Sequence, residues 1–374
     1  MKNPFVISGY NSPENFCDRQ QETERLRNAA LSSLSTALIS IRRMGKTGLI
    51  LNVINSLKKE NVRCIYFDIM MTNSLQDFVY QFGKAFYNQA ASLPEKILKS
   101  AGSLMMSFAA SLVPDPMTGN FSVELKLTNP ARIEDDLDRI LDYIKKSRDR
   151  YLIAIDEFQQ ITRYSEKYME GLLRSKFQFI DNAAFIYSGS EKHLLNSMFG
   201  EHSRPFWQSC SFLELKPIDK NVYSQFITDK FKAHNRIISN ETLDYIFDIT
   251  RGITFYIQLI CNYLFNSGIR TIENINAYHT LNNIISERES YFIHFAKLLP
   301  PRNLELLSAI ACEGKIDKPT AKEFLMKYHL GAASTVRSAL DSLIDKEAVY
   351  HERGYYLITD PFFAEWLKNN GMIW

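Results

Sequence analysis

Apolar residues in this chain change period repeatedly, and the changes mark alternating helices and strands. Helical spacing runs through residues 22–34 (ETERLRNAALSSL). A short β-favouring run at 36–41 follows and breaks at Arg42-Arg43-Met44-Gly45. Residues 46–57 return to helical spacing, with Leu49, Ile50, Val53, Ile54 and Leu57 on one face. Residues 63–70 (RCIYFDIM) read as a buried strand and 74–87 as an amphipathic helix. A charged amphipathic helix is predicted at 133–147, then a wholly apolar strand at 151–155 ending in Asp156-Glu157. A helix at 168–179 and a second buried strand at 183–187, ending in Ser188-Gly189-Ser190, continue the alternation. Strands apolar throughout, alternating with helices, imply an α/β fold with a parallel sheet covered on both faces.

After a last β-like run at 213–215 the strand character disappears, and residues 219–298 read as several helices. From Pro300, three short helical patterns precede 348–358 (AVYHERGYYLI), two β-like runs around Arg353-Gly354. That is the profile of a winged helix-turn-helix. Three domains are therefore expected, at 1–218, 219–298 and 299–374, with no repeat or low-complexity linker between them. Residues 88–132 are less regular. Between Lys99 and Asp115 lies an apolar run (SAGSLMMSFAASLVP) that falls short of the roughly 18 residues a membrane-spanning helix needs. It reads as a buried helix or a partner-facing segment. The Gly119-Asn120 turn after it leads into an alternating stretch suited to a hairpin arm.

At 374 residues the chain exceeds one ordinary core, in keeping with several domains. With 44 Lys+Arg against 42 Asp+Glu, the net charge of +2 exerts no global pull toward nucleic acid or membrane. Cys17, Cys64, Cys210, Cys261 and Cys312 are scattered, without a CxxC pair or a His at ligand spacing. They read as core residues in a reducing compartment. The first residues carry Pro4 and no continuous apolar stretch, so no signal peptide is predicted. A cytoplasmic protein without membrane contact is expected.

Candidate chemistry begins at Ser40-Ile-Arg42-Arg43-Met44-Gly45-Lys46-Thr47-Gly48, between a strand and a helix. It fits the GxxxxGK[ST] frame with Ser40 in place of the first glycine. Such a loop converges backbone N–H groups on phosphates at a helix N-terminus, while the Lys reaches the β/γ-phosphates and the hydroxyl binds Mg2+. The bland alternative is a chance GKT opening a helix. Downstream, Leu152-Ile153-Ala154-Ile155-Asp156-Glu157 delivers the acidic partner. Asp156 is placed to organise the magnesium shell with Thr47, and Glu157 to polarise the attacking water. Ser188 or Ser190 is a candidate γ-phosphate sensor if its strand lies beside that of Asp156. Arg204, in His202-Ser203-Arg204-Pro205-Phe206, is a candidate arginine finger, and one acting in trans requires a homo-oligomer.

These residues resemble the archaeal-type P-loop ATPases, a family near the AAA+ and STAND NTPases. Phe16-Cys-Asp-Arg19-Gln-Gln-Glu22 looks like the family's F-x-x-R-x-x-E segment, which lies over the adenine. Arg42 to Thr47 is similar to its RRxGKT loop, Asp156-Glu157-Phe158 to its DEF strand end, and Ser188-Gly189-Ser190 to its SGS strand. Gly252-Ile253-Thr254 stands at the lid GxP motif with Thr in place of Pro. Asp360-Pro361-Phe362-Phe363-Ala-Glu-Trp366 is like the DPxFxxW ending. The resemblance implies an AAA+-like P-loop NTPase core, a helical lid and a C-terminal winged helix, with ATP and Mg2+ bound.

A winged helix suggests DNA, but the candidate recognition helix at 333–346 sets Asp341 and Asp345 on the same outer face as Arg337. Its inward face is Val336, Leu340, Leu343 and Ile344. Without clustered cations, counterion release has little to act on, which favours a protein partner over DNA. The function expected is a magnesium-dependent ATPase acting as a nucleotide-driven switch. Its rivals are a non-hydrolysing ATP-gated module and a DNA-stimulated ATPase of transposition, defence or repair.

Overall fold

Five parallel strands carry the first unit: β1 (Thr36–Ile39), β2 (Val62–Asp68), β5 (Arg150–Asp156), β6 (Ala183–Gly189) and β7 (Ser211–Glu214). Their order is β2-β5-β6-β1-β7. Burial follows this order. Every residue of β1 and β6, and all of β5 after Arg150, is buried, whereas the edge strands β2 and β7 are partly exposed. Interior strands capped on both faces need continuous apolar sequence, which is why their period-2 signal is missing. The chain leaves β1 for the far edge at β2 and returns through β5 to β6, at β1's side. It then passes β1 to reach β7, so the strand order reverses at β1, and ligand crevices form at the carboxyl ends beside such a reversal.

The computed structural model describes residues 3–7, 9–10, 12–90, 105–114 and 121–370. It divides into two compact units, Arg19–Ser40 with Gly45–Lys216, and Met1–Asp18 with Ile41–Met44 and Pro217–Trp374. In the sheet unit the helices are α1 (Gln20–Leu31), α2 (Lys46–Ser56), α3 (Leu75–Ala90), α4 (Ile133–Lys146), α5 (Met169–Phe177) and α6 (Lys192–Gly200). Helix α4 buries Ile133, Leu137, Ile140, Leu141 and Ile144, the i, i+3, i+4 stripe of a core-facing helix.

One expectation changes. The apolar run between Lys99 and Asp115 is not a buried helix where it is described, because Phe108–Pro114 forms β3, antiparallel to β4 (Phe121–Leu127). Its earlier residues and the expected turn at 119–120 lie outside the described residues. The cause is tertiary. Asp136, fully buried on α4, accepts hydrogen bonds from the backbone N–H groups of Met106 (2.7 Å) and Ser107 (2.9 Å). Thr128 and Asn129 N–H donate to the Ser107 carbonyl at the other arm. Fixed this way, the segment satisfies its backbone through the ladder, overriding its weak local preference.

An aromatic cluster holds the segment after β5. Phe158, Tyr187, Phe199 and Phe206 are all buried, with Phe158 4.6 Å from Tyr187 and 5.3 Å from Phe206 between ring centroids. The 3-10 turn Phe158–Arg163, which no periodicity announced, is pinned by this ring.

The second unit contains α7 (Lys220–Lys232), α8 (Asn240–Thr250), α9 (Thr254–Asn266), α10 (Asn274–Glu287) and α11 (Glu289–Lys297). Strands β8 (Ile237–Ile238) and β9 (Thr271–Ile272) pair in parallel between helices, too short for a sequence signal. Asp219 caps α7 through Asn221 and Val222 N–H, as a short acceptor before a helix should. The winged helix follows: α12 (Pro301–Glu313), α13 (Lys322–Lys327), α14 (Ala333–Asp345), the antiparallel β10 (Val349–Glu352) and β11 (Tyr355–Ile358), and α15 (Pro361–Asn370). Arg353 (φ 49°) and Gly354 (φ 85°) both occupy the left-handed region that a two-residue hairpin turn requires.

Phe206 carries the loop after α6 on a side chain with no solvent exposure. Phe206→Ala should lower unfolding free energy by about 3–5 kcal/mol. Urea titration would show it as a lower midpoint with an unchanged slope.

Candidate nucleotide site

The site is built at the carboxyl ends of β1, β5 and β6. Helix α2 starts at Lys46 with Gly45 before it at φ 96°, and no side chain caps it. Its first N–H groups thus lack intrahelical partners, and the helix dipole adds partial positive charge. Lys46 is buried, its Nζ 3.4 Å from the Ser40 carbonyl and 3.3 Å from the Ser40 hydroxyl. The left-handed backbone of this loop falls at Arg43 (φ 67°) and Gly45, not at Ser40. Serine in place of the frame's first glycine is therefore unstrained here, and it contributes two oxygens to Lys46.

Asp156 collects four hydrogen bonds. Its Oδ2 accepts from the Thr47 hydroxyl (2.7 Å) and the Tyr66 hydroxyl (3.2 Å). Its Oδ1 accepts from the Ser188 hydroxyl (2.7 Å) and the Glu157 N–H (3.1 Å). Strand β6 does lie beside β5, so the condition attached to the serines is met: Ser188 reaches Asp156, and the Ser190 hydroxyl reaches Glu157 Oε2 at 2.9 Å. Glu157 itself stands at φ 54°, a left-handed position that turns the chain off the strand.

Two neighbours escaped the sequence reading. Tyr66 looked like one more residue of a buried strand. Burial, joined by the charges of Asp156 and Asp68, pushes its hydroxyl well above the usual range. Asp68 stands opposite Asp156 in register. Burial and the charges of Asp156 and Glu157 raise its carboxyl, although the Met70 N–H opposes this. Only the order of strands brings these carboxylates together.

Among the described residues no group of three or more His, Cys, Asp or Glu side chains is arranged for a metal. A magnesium ion held mainly by phosphates and water needs only one or two protein oxygens, and Thr47 and Asp156, whose oxygens are 2.7 Å apart, are the residues that could hold it. Arg19 fits an anionic or acceptor-rich ligand as well. It is buried at φ 64°, its Nη1 pairs with Glu22 at 2.9 Å, and its Nη2 is buried without a partner.

A family model for the ATPase domain found predominantly in Archaea matches residues 16–260, and a winged helix domain model matches 290–369. The chain belongs to this ATPase family. Among solved structures, a Walker-type ATPase of Pyrococcus abyssi is similar over 98% of this chain and 99% of its own, with 17% identity and a TM-score of 0.68. The ORC2 protein of Aeropyrum pernix, solved as ADPNP–ADP complexes, matches over 98% and 97% with 15% identity and a TM-score of 0.59. The ORC1 protein of the same organism, solved with DNA, matches over 96% and 94% with 14% identity and a TM-score of 0.51. No curated protein matches the chain in sequence. At these identities the structures show a shared fold, and no described helix is long and apolar enough to cross a membrane.

The remaining candidates of this ATPase-family chain are engaged in other contacts. Residues Ile41–Met44 group with the second unit. Within it, Arg42 pairs with Glu347, and Arg43 pairs with Asp360 at 2.9 Å, bonds the Tyr256 hydroxyl and stacks 4.8 Å from the Phe255 ring centroid. Burial opposes the charge of Arg43, but Tyr256 and Asp360 outweigh it and raise its pKa. Thr254, standing where the lid motif has proline, gives its hydroxyl to the Met44 carbonyl at 3.3 Å, and Phe255 N–H bonds the Arg43 carbonyl. The buried Met44 is thus tied by its backbone. Phe16 meets Tyr10 edge-on at 5.8 Å in the same unit. Arg204 pairs with Glu170 rather than with any residue of the Asp156 cluster.

The raised carboxyl of Asp68 carries a pH-dependent expectation. Its charged form is disfavoured in the fold, so that penalty is present above the raised folded value and absent below the ordinary carboxylate range. Asp68→Asn should raise the melting temperature by about 1–3 °C at pH 7–8. The gain should vanish near pH 3, as differential scanning fluorimetry across pH would report.

Proposed function

We propose that this chain is an ATP-binding, magnesium-dependent ATPase acting as a nucleotide-driven molecular switch. The observation that carries the reading is the bond from Thr47 to Asp156, formed beside the uncapped start of α2 and the buried Lys46. It joins a hydroxyl and a carboxylate at one point on the edge where phosphates would lie.

The proposed roles follow from chemistry. The α2 N–H groups, with the backbone of Met44 to Gly48, receive phosphate oxygens, and Lys46 neutralises their charge. Thr47 and Asp156 would hold Mg2+, which when bound neutralises phosphate charge and orients the transferred group. Ser188 fixes Asp156 from the adjacent strand. Glu157 takes the proton of the attacking water as general base. Arg19 uses its unpaired Nη2 on the base or sugar. The resemblance to the family assigns Phe16 to the adenine side and Arg42 and Arg43 to the phosphate loop. Arg204 stays a candidate finger for a second copy of the chain.

For the winged helix we favour a protein partner. Ser334, Thr335, Arg337, Ser338, Asp341 and Asp345 on α14, and Lys346 at its C-cap, are all exposed, and Arg337 is already 3.4 Å from Asp341. A face whose arginine is paired and flanked by two aspartates repels as much phosphate as it attracts. The DNA-bound ORC1 relative motivates the rival reading.

Lys46→Ala should reduce ATP binding to background in isothermal titration. Glu157→Gln should retain binding while slowing phosphate release about 10²–10⁴-fold. Equal affinity in wild type and Lys46→Ala would remove the site assignment, and tight binding with background release would favour a non-hydrolysing module. Duplex DNA added to the same assay should leave the rate unchanged. A salt-sensitive gel shift lost in Arg337→Ala would instead favour the DNA reading.

A further inference from the structure

Gln159 is fully buried two residues beyond Glu157. Its Nε2 donates to Glu157 Oε2 at 2.6 Å, while its Oε1 is buried without a partner. Reversing the amide would set an oxygen against a carboxylate, so the orientation is fixed by charge. The same Glu157 Oε2 accepts from the Ser190 N–H (3.2 Å) and the Ser190 hydroxyl (2.9 Å). Three donors thus converge on one carboxylate oxygen, leaving Oε1 outside the set.

Gly189 explains how a glutamine fits there. A Cβ on Gly189 would lie 2.0 Å from Gln159 Oε1 and 2.7 Å from Leu195 Cδ1. Gly189 does not adopt a positive φ, so space rather than backbone conformation requires the glycine. Ser188-Gly189-Ser190 therefore acts as one device. Ser188 holds Asp156, Gly189 admits Gln159, and Ser190 joins Gln159 on Glu157.

We infer that Gln159 is a positioning residue for ATP hydrolysis, clamping Glu157 Oε2 with Ser190 so that Oε1 is the oxygen presented to the attacking water. The inference rests on the ATPase reading above.

Gln159→Leu keeps the volume while removing the donor and the unpaired acceptor. It should fold, as circular dichroism would report, and lower kcat about 10-fold or more with KM for ATP held within about twofold. Gly189→Ala should reproduce the kcat loss by displacing Gln159. Ser190→Ala, which keeps the backbone donor, should do so more weakly and remains usable if Gln159→Leu does not fold. Because Gln159 is inferred to act through Glu157, Gln159→Leu should have no further effect on kcat in a Glu157→Gln background. A folded Gln159→Leu with wild-type kcat, or one whose loss is the same size in the Glu157→Gln background, overturns the positioning role. Wild-type phosphate release no faster than that of Lys46→Ala would sink the ATPase reading instead.

Discussion

One carboxylate organises the sheet unit. Asp156 accepts from Tyr66 on β2, Ser188 on β6 and Thr47 on α2, and so ties two neighbouring strands and the phosphate-loop helix to the end of β5. It is buried, and a buried carboxylate is tolerable only when its lone pairs are taken up by donors. The same saturation makes its position definite. Parallel strands could slip in register without obvious cost in their apolar faces, but a two-residue slip of β6 would withdraw Ser188 and leave a buried charge short of a donor. Geometry at the site is in this sense a consequence of polar satisfaction at the strand ends.

Around that fixed point the motif residues divide their work between packing and chemistry. Phe158 follows Glu157 and belongs wholly to the core, packed tilted or edge-on against Tyr187, Phe199 and Phe206. Its burial forces the chain to turn at Glu157, whose positive φ is the local cost of leaving the strand sharply. The aromatic ring beneath and the polar clamp above therefore act on consecutive residues. Such juxtaposition lets a small loop hold a charged side chain without a long ordered segment to support it.

In the second unit the residues Ile41–Met44 are engaged through both backbone and side chains. Carbonyls of Arg43 and Met44 are taken by Phe255 N–H and the Thr254 hydroxyl, and the guanidinium of Arg43 lies among Tyr256, Phe255 and Asp360. Asp360 also accepts from Phe362 and Phe363 N–H, so one carboxylate caps α15 and pairs with the arginine. Threonine where the related motif has proline is accordingly no loss of contact, because it gains a hydroxyl donor that proline lacks.

The sequence alone determined a good deal. Uniform apolar runs at β1, β5 and β6 specify a covered parallel sheet, Gly45-Lys46-Thr47 specifies a loop that opens into a helix, and Asp156-Glu157 ends a buried strand. Each is a local rule, readable from neighbours along the chain. The hairpin β3–β4 was half legible: the alternating arm showed, but the apolar arm resembled a helix until Asp136 tied its base. Tyr66, Asp68 and Gln159 were invisible as site residues, since nothing in their neighbourhoods distinguishes them from core or surface positions. Strand order β2-β5-β6-β1-β7 decided which strand ends share a crevice, and side-chain packing decided where Arg43 and Arg204 point. Those outcomes depend on contacts between residues remote in sequence. Local periodicity carries no information about such contacts, so only the folded chain could settle them.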